Sequence, residues 1–183
     1  SDLDIHNLIS SKENRVLTHA QLKQLYSSDF YSDLHKRIGN FLISNEEYRE
    51  HPEVYWRIVR PNSVSDVGPL HADRWFWESN HDWTMPSSFS KRSKVWIPLQ
   101  VEPFKNGLLM VPQSHKSNIH NYKLVKYDSK VKPMILKTSD IGEILIDTPL
   151  GTYVFFHDSV IHGGALNNGQ HIRASIEFTC FYN

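Results

Sequence analysis

The sequence predicts a mainly β domain, of sandwich, jelly-roll or barrel type, preceded by a helical layer. Short alternating or apolar runs recur from residue 54 onward: Val54–Arg60, Lys94–Val101, Leu108–Val111, Tyr122–Tyr127, Glu143–Ile146, Thr152–Phe156 and Ile172–Phe181. Turn formers separate them, notably Pro61-Asn62-Ser63, Asn106-Gly107 and Pro149-Leu150-Gly151. Before residue 50 the apolar residues instead recur at helical spacing.

Thr18-His19-Ala20-Gln21 has the form of a capping box, and Leu22, Leu25 and Tyr26 then fall on one stripe. A second helix is expected to begin after Ser28 or Asp29, with Phe30, Leu34, Ile38 and Phe41 on one face and Gly39-Asn40 weakening its end. Val54–Arg60 alternates and is rich in aromatic and β-branched residues. Ser79–Lys94 shows no period and holds Pro, Ser, Asn and Asp, which predicts a long loop covering a substrate. Lys91-Arg92-Ser93-Lys94 within it reads as solvated loop charge. Pro98 inside the next run implies an edge or bulge position. In the last run, Arg173, Ser175, Glu177 and Thr179 share one face, and Ile172, Ala174, Ile176, Phe178 and Cys180 the other. No repeat or linker divides the chain. The expectation is one domain over residues 1–183, with a helical cover at 1–50 and a β core at 54–182.

Composition narrows the function classes. Lys+Arg and Asp+Glu balance at 20 each, so no global field favours nucleic acid or an anionic membrane. The single cysteine, Cys180, excludes an intrachain disulfide framework and a multi-cysteine zinc site. It also fits a reducing compartment, so a cytoplasmic location is expected. No apolar run is long enough to span a bilayer, and no signal peptide is visible.

The chemistry-bearing stretch is His71-Ala72-Asp73, set among aromatics. On a strand, alternate side chains share a face, so an imidazole and a carboxylate converge on one point. The strongest third ligand is His162, followed by Gly163-Gly164, which permits close approach; its rival is His157, an ordinary alternating residue. Two His and one carboxylate, with the opposite face open, is the site type of non-haem Fe(II) oxygenases.

Four features in order resemble the phytanoyl-CoA dioxygenase-like family of Fe(II)/2-oxoglutarate oxygenases. They are the His71-Ala72-Asp73 triplet; Val95-Trp96-Ile97-Pro98-Leu99 leading to Asn106-Gly107-Leu108 and Pro112-Gln113-Ser114-His115-Lys116; Gly151–His157 running into His162-Gly163; and Arg173, 11 residues past His162. The resemblance implies a double-stranded β-helix (jelly roll, cupin-like) with Fe(II) held by His71, Asp73 and His162. Open metal positions would take O2 and 2-oxoglutarate, whose far carboxylate would meet Arg173, with Ser175 as a second donor. Gln113 stands where the family usually has glycine, and Gly164 where a small hydroxylic residue is common. The retained Asp73 implies hydroxylation, since related halogenases have a small residue there. Arg173 could instead be a structural salt-bridge partner, and His115 is expected to cap a turn.

Tyr55, Arg57, Arg74, Trp75, Trp77 and Asn80 are the candidate contacts to a small organic substrate, with Trp83 and Phe89 as either loop packing or pocket lining. No partner for Glu177 is evident. Two other readings stay open: a non-catalytic jelly-roll binding module, and a different cupin-like metalloenzyme such as a Zn or Mn isomerase.

Overall fold

The computed structural model of the chain describes residues 15–45, 51–79, 83–116, 122–127, 130–135 and 141–183. Helix α1 (His19–Tyr26) starts at the expected capping box: Thr18 Oγ1 accepts from the Gln21 N–H, and the Gln21 side chain accepts from the Thr18 N–H. Helix α2 (Asp29–Ile38) is capped by Ser28 and stops at Gly39, whose φ of 76° suits a residue without Cβ. Parts of the helical cover, residues 1–14 and 46–50, lie outside the described residues.

The major sheet is antiparallel. Strand β10 (Arg173–Tyr182) is its centre, with β3 (Lys91–Gln100) on one side and both β1 (Leu42–Ile43) and β2 (Tyr55–Val59) on the other; β3 pairs in turn with β8 (Val154–His157). A second sheet orders β7 (Ile144–Ile146), β4 (Leu108–Met110) and β9 (His162–Gly164). A hairpin joins β5 (Tyr122–Tyr127) and β6 (Lys130–Ile135). The β6 strand has no counterpart in the sequence expectations.

Alternation along β10 places apolar side chains outward against the helices. Phe178 and Cys180 are fully buried there with Val95, Leu34, Leu22 and Leu17. The inner face meets the second sheet through Trp96, Phe156, Leu108 and Met110. Two opposed antiparallel sheets with polar groups between them are the jelly-roll arrangement expected.

Two local expectations are corrected and one is met. The strand that begins at Lys94 in the sequence reading starts at Lys91, so Lys91-Arg92-Ser93-Lys94 is sheet and not solvated loop. Lys94 is 8% exposed, and Arg92 pairs with Asp158 through Nε at 2.7 Å. Pro98 stands opposite Ser175, where the β3–β10 register shifts, and β8 pairs with β3 only as far as Trp96, so the edge-or-bulge expectation is met. Finally, His71-Ala72-Asp73 is not a strand. His71 forms one bridge with His162, and Asp73 opens helix α3 (Asp73–Ser79).

Candidate metal centre

The backbone brings His71 and His162 together directly. The His71 N–H donates to the His162 carbonyl at 2.9 Å, and the His162 N–H donates to the His71 carbonyl at 2.8 Å. His162 stands opposite Met110 on β4, so its ring enters the space between the sheets. A Cβ on Gly163 would lie 3.1 Å from Leu70 Cδ2, so glycine is what permits this approach. Helix α3 then swings Asp73 back over the two rings. The ligand atoms of His71, Asp73 and His162 lie within 4.8 Å of one another, forming the one group of three or more such residues among the described residues.

The rings are oriented from behind. Nδ1 of His71 lies 2.8 Å from the Pro69 carbonyl, and Nδ1 of His162 lies 2.9 Å from the Val160 carbonyl. A carbonyl only accepts, so each Nδ1 carries the proton and each Nε2 presents a lone pair inward. Burial and the neighbouring His162 push His71 down to about 4, which keeps it neutral near pH 7. Burial opposes ionisation of Asp73, but its charged surroundings, the Lys94 ammonium foremost, outweigh it and lower its pKa. Asp73 Oδ2 is buried without any hydrogen-bond partner, 3.7 Å from His162 Nε2. Two imidazoles oriented from behind and a buried carboxylate oxygen without a hydrogen-bond partner fit a divalent metal.

His157, the rival third ligand, lies elsewhere. Its side chain is 56% exposed, its Nδ1 is 3.0 Å from Asp158, and its ring stacks on His115 at 5.8 Å.

The inner wall of the major sheet carries Arg173, Ser175 and Glu177, with Arg57 and Tyr55 opposite Ser175 and Glu177 on β2. Arg173 is 3% exposed; its Nη1 donates to Ser175 Oγ at 2.8 Å, and its Nε has no partner. Burial pushes its guanidinium down to about 10, with Glu177 only partly opposing. The small size of Gly164 accommodates it, since a Cβ there would sit 2.9 Å from Arg173 Nη2. Glu177 does have partners: Arg57 Nη2 at 2.6 Å and Lys94 Nζ at 3.8 Å. Tyr55 donates to Glu53 in a short hydrogen bond.

The other candidate contacts are used in packing. Trp75 is buried and stacks on Tyr122 at 4.7 Å, and Arg74 turns outward to Glu78 at 2.6 Å. Trp77 meets Trp83 and Phe181 edge-on, with the Arg92 guanidinium 4.3 Å from its ring centre, and Phe89 lies against Phe181. Asn80 lies outside the described residues. Ser114, beside His115, accepts from the Ile161 N–H at 2.8 Å and so braces the segment before His162. Two inner-wall residues escaped the sequence reading: Lys94, and Trp96, whose ring centre is 5.9 Å from the Arg173 guanidinium. The expected strand from Lys94 already alternates both onto one face, and only the sheet pairing turns that face inward.

A jelly roll with a His-Asp-His cluster between its sheets is an arrangement able to hold a divalent metal. The phytanoyl-CoA dioxygenase (PhyH) family profile matches residues 6–175, and the chain belongs to that family. No curated protein sequence matches it. Among solved structures it is similar to EvdO2 from Micromonospora carbonacea var. aurantiaca, at 12% identity and TM-score 0.65, over 91% of this chain and 65% of that one. The EvdO2 complex with 2-oxoglutarate matches at 11% identity and TM-score 0.64, over 92% and 66% respectively. The non-heme monooxygenase ThoJ, in its apo form, matches at 11% identity and TM-score 0.58, over 86% and 53%. The chain thus spans less than two-thirds of the length of each of these proteins. No helix among the described residues is long and apolar enough to cross a membrane.

Proposed function

We propose that the chain is an Fe(II)- and 2-oxoglutarate-dependent oxygenase of hydroxylase type, acting on a small organic substrate as a single domain. The observation that carries this is the convergence of the ligand atoms of His71, Asp73 and His162 between the sheets, together with a buried Arg173 whose Nε has no hydrogen-bond partner. Family membership and the 2-oxoglutarate bound in the EvdO2 complex support the same reading.

His71, Asp73 and His162 would hold the metal on one face, and Asp73 would reduce its charge while leaving it attractive to an anion. Bound Fe(II), with 2-oxoglutarate and O2, supplies oxidising chemistry that couples release of succinate and CO2 to oxidation of the substrate. Arg173 would receive the far carboxylate of 2-oxoglutarate through its planar fork, and its Nε is the donor without a partner. Ser175 holds Nη1 from the side and fixes the plane of the guanidinium. Trp96 and Phe156 wall this space with apolar surface, which limits water around the charged groups.

The test is succinate formation from 2-oxoglutarate with Fe(II) and ascorbate. Wild type should produce succinate, and Asp73→Ala should not. Metal-loaded wild type that neither binds nor turns over 2-oxoglutarate refutes the proposal and favours a binding module. Protein purified anaerobically with zinc alone, and not activated by iron, would instead point to the isomerase alternative.

A further inference from the structure

The carboxylate of a three-ligand centre also decides how many metal positions stay open. Bound through one oxygen it leaves three of six; bound through both it leaves two. Asp73 shows its oxygens to different neighbours. Oδ2 is buried, lacks a hydrogen-bond partner and lies 3.7 Å from His162 Nε2. Oδ1 lies 3.6 Å from Lys94 Nζ and 3.9 Å from His71 Nε2.

Lys94 comes from a different element, strand β3, and reaches Asp73 from the inner wall. Its strand position is fixed on both sides, opposite Thr179 on β10 and opposite Phe156 on β8. Its ammonium also lies 3.8 Å from Glu177, which Arg57 grips in turn at 2.6 Å. A row of alternating charge, Arg57, Glu177, Lys94 and Asp73, therefore ends on one oxygen of the metal carboxylate. Each buried charge in the row has an opposite neighbour, so the row can persist away from water.

We propose that Lys94 is a positioning residue that holds Asp73 Oδ1 away from the metal, so that Asp73 ligates through Oδ2 alone and three positions remain open. An apolar side chain at 94 frees the carboxylate to swing and chelate through both oxygens, closing one position. The inference rests on the proposed metal-binding role of His71, Asp73 and His162.

The test uses the full chain loaded with Mn(II) and measures water-proton relaxation, which counts waters on the metal independently of turnover. Wild type should show three exchangeable waters. Lys94→Met should keep its circular dichroism spectrum but fall to about two-thirds of the wild-type inner-sphere relaxivity. Lys94→Arg, which keeps charge and N–H donors, should restore the wild-type value. Should Lys94→Met not fold, Lys94→Ser, too short to reach Asp73, reads the same loss. Two waters in wild type, or unchanged relaxivity in the shortened or apolar variant, overturns the role of Lys94 while leaving the metal site standing. Failure of wild type to bind Mn(II) overturns the metal site itself.

Discussion

Replacing Arg173 by methionine should make the ligand-free protein more stable and abolish its response to 2-oxoglutarate. Arg173 is 3% exposed, has no adjacent carboxylate on its fork, and leaves Nε without a partner. Burial pushes it from 12.5 down to about 10, which corresponds to about 3 kcal/mol of disfavour for the charged side chain. Methionine is similar in length, carries no charge and suits an apolar wall that includes Trp96. Losing the bond to Ser175 returns about 1 kcal/mol, leaving a net gain of about 2 kcal/mol. For a domain of this size that is about 4–8 °C in melting temperature. The assay is thermal unfolding in chelator, repeated with Mn(II) and 2-oxoglutarate. Wild type should be stabilised by the co-substrate through mass action, and the variant should not. A variant that is destabilised in chelator and still shifts with 2-oxoglutarate would refute the reasoning that Arg173 is a buried charge kept for a ligand.

Gly164→Ala places a Cβ 2.9 Å from Arg173 Nη2 and must displace the guanidinium, so the Kd for 2-oxoglutarate should rise about tenfold. Calorimetry checks this, and the effect should vanish in an Arg173→Met background. Glu177→Gln tests the inner-wall charge row. Burial raises the Glu177 pKa, but Arg57 and Lys94 outweigh it and hold the group well below its ordinary 4.5. A carboxyl depressed in the folded state contributes stability that is present above its unfolded pKa and lost as pH falls. The variant should therefore lose about 2 kcal/mol at pH 7 and show a flatter acid limb below pH 4.5 by denaturant titration. That figure is below the range for a fully buried pair because the Arg57 side chain keeps 36% of its surface exposed.

Much of the fold follows from local pattern. The caps at Thr18 and Ser28, the turn at Asn106-Gly107 and the ten-residue alternation of β10 are all short-range signals, and each element forms where its signal lies. The triplet was found for a partly different reason from the one that operates. Asp73 reaches the imidazoles from the first turn of a helix and not by strand alternation. That short helix carries no capping signature of its own and is held by tertiary contacts, including Trp75 on Tyr122 and the Arg74 N–H on the Asp158 carbonyl. Lys94 was missed for a related reason. Lys94 is both the end of a basic cluster and the first residue of an alternating run, and only its pairing with Thr179 and Phe156, which nothing local encodes, buries it. Glu177 likewise acquires its partners from two other strands, 120 residues upstream in the case of Arg57.

The most direct measurement is calorimetric titration of 2-oxoglutarate into Mn(II)-loaded protein under anaerobic conditions. One equivalent should bind to wild type, metal-dependently, and none should bind to Asp73→Ala. Metal-loaded wild type that takes up no 2-oxoglutarate, or metal-free wild type that binds it equally well, would contradict a His71-Asp73-His162 centre built to receive it.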